Sequence, residues 1–371
     1  MAPLSRPVRL VNYLAYGAND MLGAGSMAIV SGWVLLFYTR FCGLSAGQAA
    51  IIFATARVID AVLSPMIGQI SDHLGRTALG RRLGRRRVFI LAAIPLLPSF
   101  ALMWLPGQTF WYYLVSYVAF EMVYALEIIP YETLAAEMAS DYATKARLAG
   151  TRILFGQVSA ILAGYAPLWL IGWLGRDNGA TFFWMAAIFT VLFMAVAALL
   201  YAFSWERPHD PATLPAAPLG PGAILRGLAG DLAATLRVRA FRLHLGMYLG
   251  GYISQDIFNA TFTFFVLFAL GGTTAAASGL LGGMYVVQLA AVALAIGMAL
   301  RSSPARAYRL AAMGFGAGTV LLVGGWMAGW RVGAGGLWVA IALAGLGRGM
   351  LNYIPWATYN YMADVDEIIS G

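Results

Sequence analysis

The sequence predicts an all-α integral membrane protein, a bundle of ten transmembrane helices arranged as six plus four. Three observations predict it. First, 61% of the 371 residues are hydrophobic and 11% are charged, with a mean hydropathy of +0.75. A soluble domain carries roughly 25% charged residues, and a water-soluble core cannot hide this much apolar side chain, so lipid is the solvent. Second, apolar stretches about 20 residues long recur along the chain, each sufficient to cross a bilayer. Third, the basic residues between those stretches alternate in density, which is the signature of membrane topology.

The ten stretches fall at about 10–38, 45–71, 88–106, 109–136, 148–173, 180–203, 240–270, 277–300, 309–330 and 335–362. Alternate connections are rich in arginine. The 72–87 loop holds Arg76, Arg81, Arg82, Arg85, Arg86 and Arg87, and the others of its set hold Lys145, Arg147, Arg207, Arg226, Arg237, Arg239, Arg242, Arg301, Arg306 and Arg309. With Arg6 and Arg9 this side counts eighteen basic residues, against three (Arg40, Arg176 and Arg331) on the other. The excess places the N-terminus and the even-numbered loops in the cytoplasm of a cell's inner membrane.

A Pro- and Ala-rich stretch, 208–221, reads as linker, followed by an interfacial helix at 223–236. Residues 1–204 then form an N-terminal six-helix bundle, 205–239 a cytoplasmic linker, and 240–371 a C-terminal bundle of four helices. The first and seventh spans look alike: Tyr13-Leu14 with Asp20, and Tyr248-Leu249 with Asp256.

The composition also excludes functions. The net charge of +8 sits in short loops between apolar spans, and no soluble basic module exists to bind nucleic acid. His73, His209 and His244 are far apart in sequence and Cys42 is the single cysteine. Neither a metal-ligand spacing nor a nucleophile–base set is present, so no enzyme, cofactor or metal is expected.

Ionisable groups inside spans cost roughly 2.5–3.5 kcal/mol each and mark function or pairing. Arg57, Asp60 and Ser64 share one face of the second span. They read either as an internal Arg57–Asp60 pair or as a carboxylate poised for a proton or sodium ion. In the first span Asn19-Asp20 follows Gly17-Ala18, and Arg152 lies in the fifth. Asp20 and Arg152 would offer an acceptor and a forked donor to a polyhydroxylated ligand. On the fourth span Tyr124, Glu127 and Tyr131 share a face, suiting a sugar ring or a pairing of Glu127 with Arg152. Glu121 and Glu132 fall on other faces and carry no assignment. In the second half Asp256 and Arg348 are expected to pair. Pro355-Trp356 kinks a ring-rich stretch of the tenth span, and Asp256 and Trp356 are expected to join the substrate site.

At these residues the chain resembles the glycoside–pentoside–hexuronide:cation symporters, the melibiose-permease branch of the major facilitator superfamily. Three motifs carry the resemblance. They are Ala56-Arg57-Val58-Ile59-Asp60-Ala61 with Pro65-Met66-Ile67-Gly68 and the arginine-rich loop; Pro130-Tyr131-Glu132-Thr133-Leu134 with Glu137, Asp141-Tyr142, Arg147 and Arg152; and Ala363-Asp364-Val365-Asp366.

The resemblance implies a secondary transporter for a small-molecule sugar or glycoside. Asp60 would belong to a cation site, and Asp20 and Arg152 to a sugar site. It also implies twelve helices, so the six-plus-four count reads as a chain cut two helices short. The pattern departs elsewhere. Ser64 stands where the type member has a second acid, Ala125 where it has a threonine, Ile128 where it has a sugar-binding acid, and Asn19 where it has a lysine. One carboxylate and one hydroxyl are a poor start for sodium, so proton coupling through Asp60 or Glu127 is the expectation. A lipid or amphipathic cargo, and a non-transporting remnant, are the alternatives.

Overall fold

The computed structural model of the chain describes residues 7–139, 141–175, 177–207, 236–301 and 303–370; the side chains of 356–370 and of helical positions 72, 73, 142, 143, 146, 296, 297, 299–301 and 304 are left aside. The expected 223–236 helix and nearly all of the expected linker therefore lie outside the described residues.

The described chain is helical, and each expected stretch falls on helix. The first comprises α1 (Leu10–Ala18) and α2 (Asp20–Ile29), then two π-helical turns at Val30–Val34 and Phe37–Phe41. Next come α3 (Ala46–Leu74), α4 (Ala78–Leu83), α5 (Arg87–Ala93), α6 (Ser99–Leu102), α7 (Phe110–Met138), α8 (Tyr142–Leu174) and α9 (Gly179–Phe203). The second half holds α10 (Arg239–Phe264) with a π turn at Phe265–Ala269, α11 (Thr274–Arg301), α12 (Pro304–Met327) and α13 (Gly335–Ser370).

Helix starts follow local chemistry. Ser45 and Gln48 form a reciprocal capping box, Gln48 N donating to Ser45 Oγ at 3.1 Å and Ser45 N to Gln48 Oε1 at 2.9 Å. Asn178 and Ser303 accept from the first turns of α9 and α12. Asp141 accepts from Thr144 N at 2.8 Å, which holds its carboxyl below the usual carboxylate range and starts α8 six residues earlier than expected. Lys145 and Arg147 thus ride on helix rather than in a loop.

Seven of the described helices are long and apolar enough to cross a membrane, and a shorter apolar one runs Arg87–Leu102. The three remaining expected spans are broken or more polar. The first is interrupted at Asn19. The third breaks because Pro95 and Pro98 remove two backbone donors, leaving a 3-10 turn at Ile94–Leu96. The seventh carries Arg239, Arg242, His244, Gln255, Asp256 and Asn259.

Contacts group the chain into two units. One takes in Met1–Ala28, Val34–Ser159 and Arg176–Gly227; the other takes in Ile29–Trp33, Ala160–Gly175 and Leu228–Gly371. In the first, the core includes Tyr16, Ile90, Tyr131, Leu134, Met138, Leu148 and Leu200. Its arginine loop is held by acids: Glu137 takes Arg85 at 2.7 Å and Arg86 at 2.8 Å. The Glu206 carboxylate accepts the backbone N–H groups of Arg85, Arg86 and Arg87 at 2.8–3.0 Å, closing the exposed N-terminus of α5.

In the second unit, a serine side chain joins the backbone of α8 beside Pro167. Ser278 Oγ donates to Gly164 O at 2.6 Å and accepts from Leu168 N at 3.0 Å. These are the two groups an unbroken helix would join directly. The π turns ending the first and seventh spans match. Cys42 N bonds Phe37 O and Leu44 N bonds Tyr38 O, while Leu270 N bonds Phe265 O and Gly272 N bonds Val266 O. Each turn closes on a glycine in the left-handed region, Gly43 (φ 71°) and Gly271 (φ 68°).

Candidate functional site

The first unit gathers the expected polar residues on the walls between α2, α7 and α8. The interruption at Asn19 opens α2 with Asp20 in its first turn. Arg152 on α8 donates Nε to Asp20 Oδ1 at 2.9 Å, so the pair expected from sequence forms. Its other arm donates Nη2 to Glu132 Oε1 at 2.9 Å, and the guanidinium lies 5.2 Å from the Tyr131 ring centroid. Tyr131 is fixed in turn by donation to Tyr16 O at 2.9 Å and by its contact with the Tyr16 ring, 4.8 Å between centroids. Tyr124 donates to Gly23 O at 3.4 Å. Close approach makes the pairing possible: a Cβ on Gly156 would run into the Asp20 carboxylate, and one on Gly17 would meet Thr151 at 2.7 Å.

Glu127 does not pair with Arg152. It accepts from Asn19 Nδ2 at 2.7 Å, and both side chains are fully buried. The second oxygen of the acid, Oε2, and the amide oxygen of Asn19, Oδ1, have no hydrogen-bond partner.

The face shared by Arg57, Asp60 and Ser64 resolves differently from the internal pair. Ser64 Oγ donates to Asp60 Oδ1 at 2.8 Å, while Arg57 turns to Glu121 Oε1 at 3.5 Å. Helical side chains lean toward the N-terminus. Ser64 therefore leans back onto Asp60, and the longer Arg57 reaches away from it, to the neighbouring helix. Arg348 likewise meets Asn259 Oδ1 and the ring of Tyr285 rather than the expected Asp256. Asn259 donates onward to Ser31 Oγ at 3.1 Å. Asp256 is exposed on α10, and the Trp356 side chain lies outside the described residues.

Glu121, Glu132 and Asn259 were thus missed as partners by sequence reasoning. Helical-wheel position ruled out the two acids, although Glu132 sits inside the Pro130-Tyr131-Glu132 motif, which was a usable signal. Arginine arms are long enough to reach off the face that a wheel assigns.

The chain is similar to several known proteins. The profile of the MFS/sugar transport protein family matches residues 15–371. The chain is 27% identical over 184 residues to the uncharacterized symporter YnaJ of Bacillus subtilis (strain 168), covering 47% of this chain and 38% of that one. It is 25% identical over 202 residues to the isoprimeverose transporter of Lactiplantibacillus pentosus, covering 52% and 41%. The matched stretch thus spans well under half the length of these relatives. Against a glucuronide carrier protein homolog of Escherichia coli (strain K12) it is 23% identical, covering 96% and 76%. The fold is similar to the E. coli xylose transporter XylE, with a TM-score of 0.60 at 17% identity over 94% of this chain and 85% of that one. It is also similar to a bacterial homologue of the human drug peptide transporters PepT1 and PepT2, at TM-score 0.59 and 13% identity over 96% and 90%. The family is one of transporters rather than enzymes. This multi-pass membrane chain belongs to the MFS/sugar transport protein family, among the glycoside–pentoside–hexuronide:cation symporters.

Proposed function

We propose that the protein carries a sugar or glycoside across the cell's inner membrane by alternating access, in symport with a proton rather than sodium. Ten spans with the N-terminus in the cytoplasm are part of this reading. The observation that carries it is the half-buried Arg152 of the fifth span, shared by Asp20 and Glu132 beside the Tyr131 ring. A forked donor and two acceptor carboxylates recognise the hydroxyls of a sugar. The names of the isoprimeverose and glucuronide carriers support a glycoside as cargo.

Hard cations take several oxygen ligands. On α3 the two candidate ligands, Asp60 and Ser64, are hydrogen-bonded to each other, which favours a proton taken by Asp60 or Glu127. The test is uptake into proteoliposomes across a panel of glycosides, under a pH gradient or a sodium gradient, with lysolipids as competitors. Accumulation driven by the pH gradient and competed by glycosides is expected. Accumulation driven by sodium alone would overturn the coupling, and competition by lysolipids alone would overturn the cargo.

A further inference from the structure

Glu127 and Asn19 form a half-completed pair. One hydrogen bond, Asn19 Nδ2 to Glu127 Oε1 at 2.7 Å, joins them. The atoms left without a partner, Glu127 Oε2 and Asn19 Oδ1, belong to the same two side chains, and both residues show no exposed surface. Two acceptor oxygens cannot satisfy one another without a hydrogen between them. A proton on Oε2 supplies the donor the pair lacks; given to Oδ1, it would close a ring of two hydrogen bonds, acid against amide. It thereby removes both orphans, each of which would otherwise carry a desolvation cost.

The surrounding charges point the same way. The charged groups nearest Glu127 are Asp20 on α2, Arg152 on α8 and Glu132 on α7, with the phenols of Tyr16 and Tyr131 nearby. Arg152 already gives Nε to Asp20 and Nη2 to Glu132. An ionised Glu127 would be a third carboxylate around one committed guanidinium, with no exposed surface at which solvent could reach it.

We infer that Glu127 is the proton-binding group of this transporter, held as the neutral acid in this conformation, with Asn19 as its positioning residue. This rests on the proposed symport and chooses Glu127 over Asp60 as the proton's seat. The proton leaves Oε2 for solvent water when the site opens. The ring then breaks, because Oε2 has no hydrogen left to give. Asn19 is thereby a reader of the protonation state, and it lies directly before Asp20, so the state of Glu127 reaches the Asp20–Arg152 pair through one peptide unit.

The test needs no identified substrate. Infrared spectra of the purified full chain in lipid at neutral pH report the carbonyl stretch of protonated carboxyl groups. The Glu127→Gln variant is expected to remove one such band from the wild-type spectrum. Asn19→Ala is expected to keep the band but move it to higher frequency, since the acid loses its acceptor, an effect that general loosening of the fold would not produce. Identical wild-type and Glu127→Gln spectra in that region would overturn the inference, and so would an unshifted band in Asn19→Ala, which carries the test should Glu127→Gln not fold. In proteoliposomes Glu127→Gln should lose pH-driven accumulation; undiminished accumulation would also overturn the inference. Absence of glycoside transport by the wild type, with the band present, would overturn the proposed function and leave the protonated pair standing.

Discussion

Arg152 answers two carboxylates at once, and only a planar fork can do so. Nε and Nη2 point along separate directions, to Asp20 and to Glu132, whereas a lysine presents one compact charge. Arg152→Lys keeps the charge but gives up one charge-assisted bond, worth about 1.5–3 kcal/mol. Glycoside affinity or uptake should fall by roughly 10- to 100-fold at that cost while the protein still inserts, measured as binding and uptake against membrane expression. Unchanged uptake would remove Arg152 from the site. At this scale the sequence was legible where an ionisable residue had one natural mate inside the bundle: Asp20 and Arg152 found each other. It was less legible where a long side chain chose among several acids, as Arg57 did in taking Glu121.

Helices in this chain are shaped by single polar insertions as much as by their apolar runs. Ser278 is fully buried and bridges the Leu168 N–H and the Gly164 carbonyl of α8. Ser278→Ala leaves a buried carbonyl and a buried N–H unsatisfied, at about 1–3 kcal/mol each if neither relaxes. The variant should show a lower thermal midpoint, and α8 should straighten or take in a water; an unchanged midpoint would show that the ladder closes by itself. Prolines made the break in the third span readable in principle, since Pro95 and Pro98 are plain in the sequence, but its apolarity masked them. The likeness of the first and seventh spans was legible in kind and not in register. Tyr13 pairs with Tyr248 only by a step of 235 residues, whereas the matching π turns, 37 to 265, and their closing glycines, 43 to 271, share a step of 228. That second step sets Ser31 against Asn259, and these two are hydrogen-bonded. The difference in step arises because the stretch from tyrosine to π turn is longer in the first span, which a short motif cannot reveal.

Orientation is a property of the whole chain, and two patterns in it support the proposed topology. Eighteen basic residues lie in or beside one set of connections and three in or beside the other. The strongly exposed tryptophans respect the same division: Trp111 begins α7, Trp169 and Trp173 lie toward the end of α8, Trp184 lies in the second turn of α9, Trp326 ends α12 and Trp338 begins α13. Each of these helix ends adjoins an arginine-poor connection. Indole rings favour the membrane–water interface; in the proposed topology this set meets the headgroups of the outer leaflet, and the arginine loops face the anionic cytoplasmic surface. The reading is testable because Cys42 is the single cysteine and can be replaced by serine. In that background Ala180→Cys, at an exposed position in the first turn of α9, should react with a membrane-impermeant maleimide in intact cells. Ala78→Cys, exposed on α4 within the arginine loop, should react only once the membrane is opened. The reverse pattern would invert the topology. It would also place the Glu137 and Glu206 clamps on the arginine loop outside the cell, where the inward electrical pull on eighteen basic residues would oppose insertion rather than favour it.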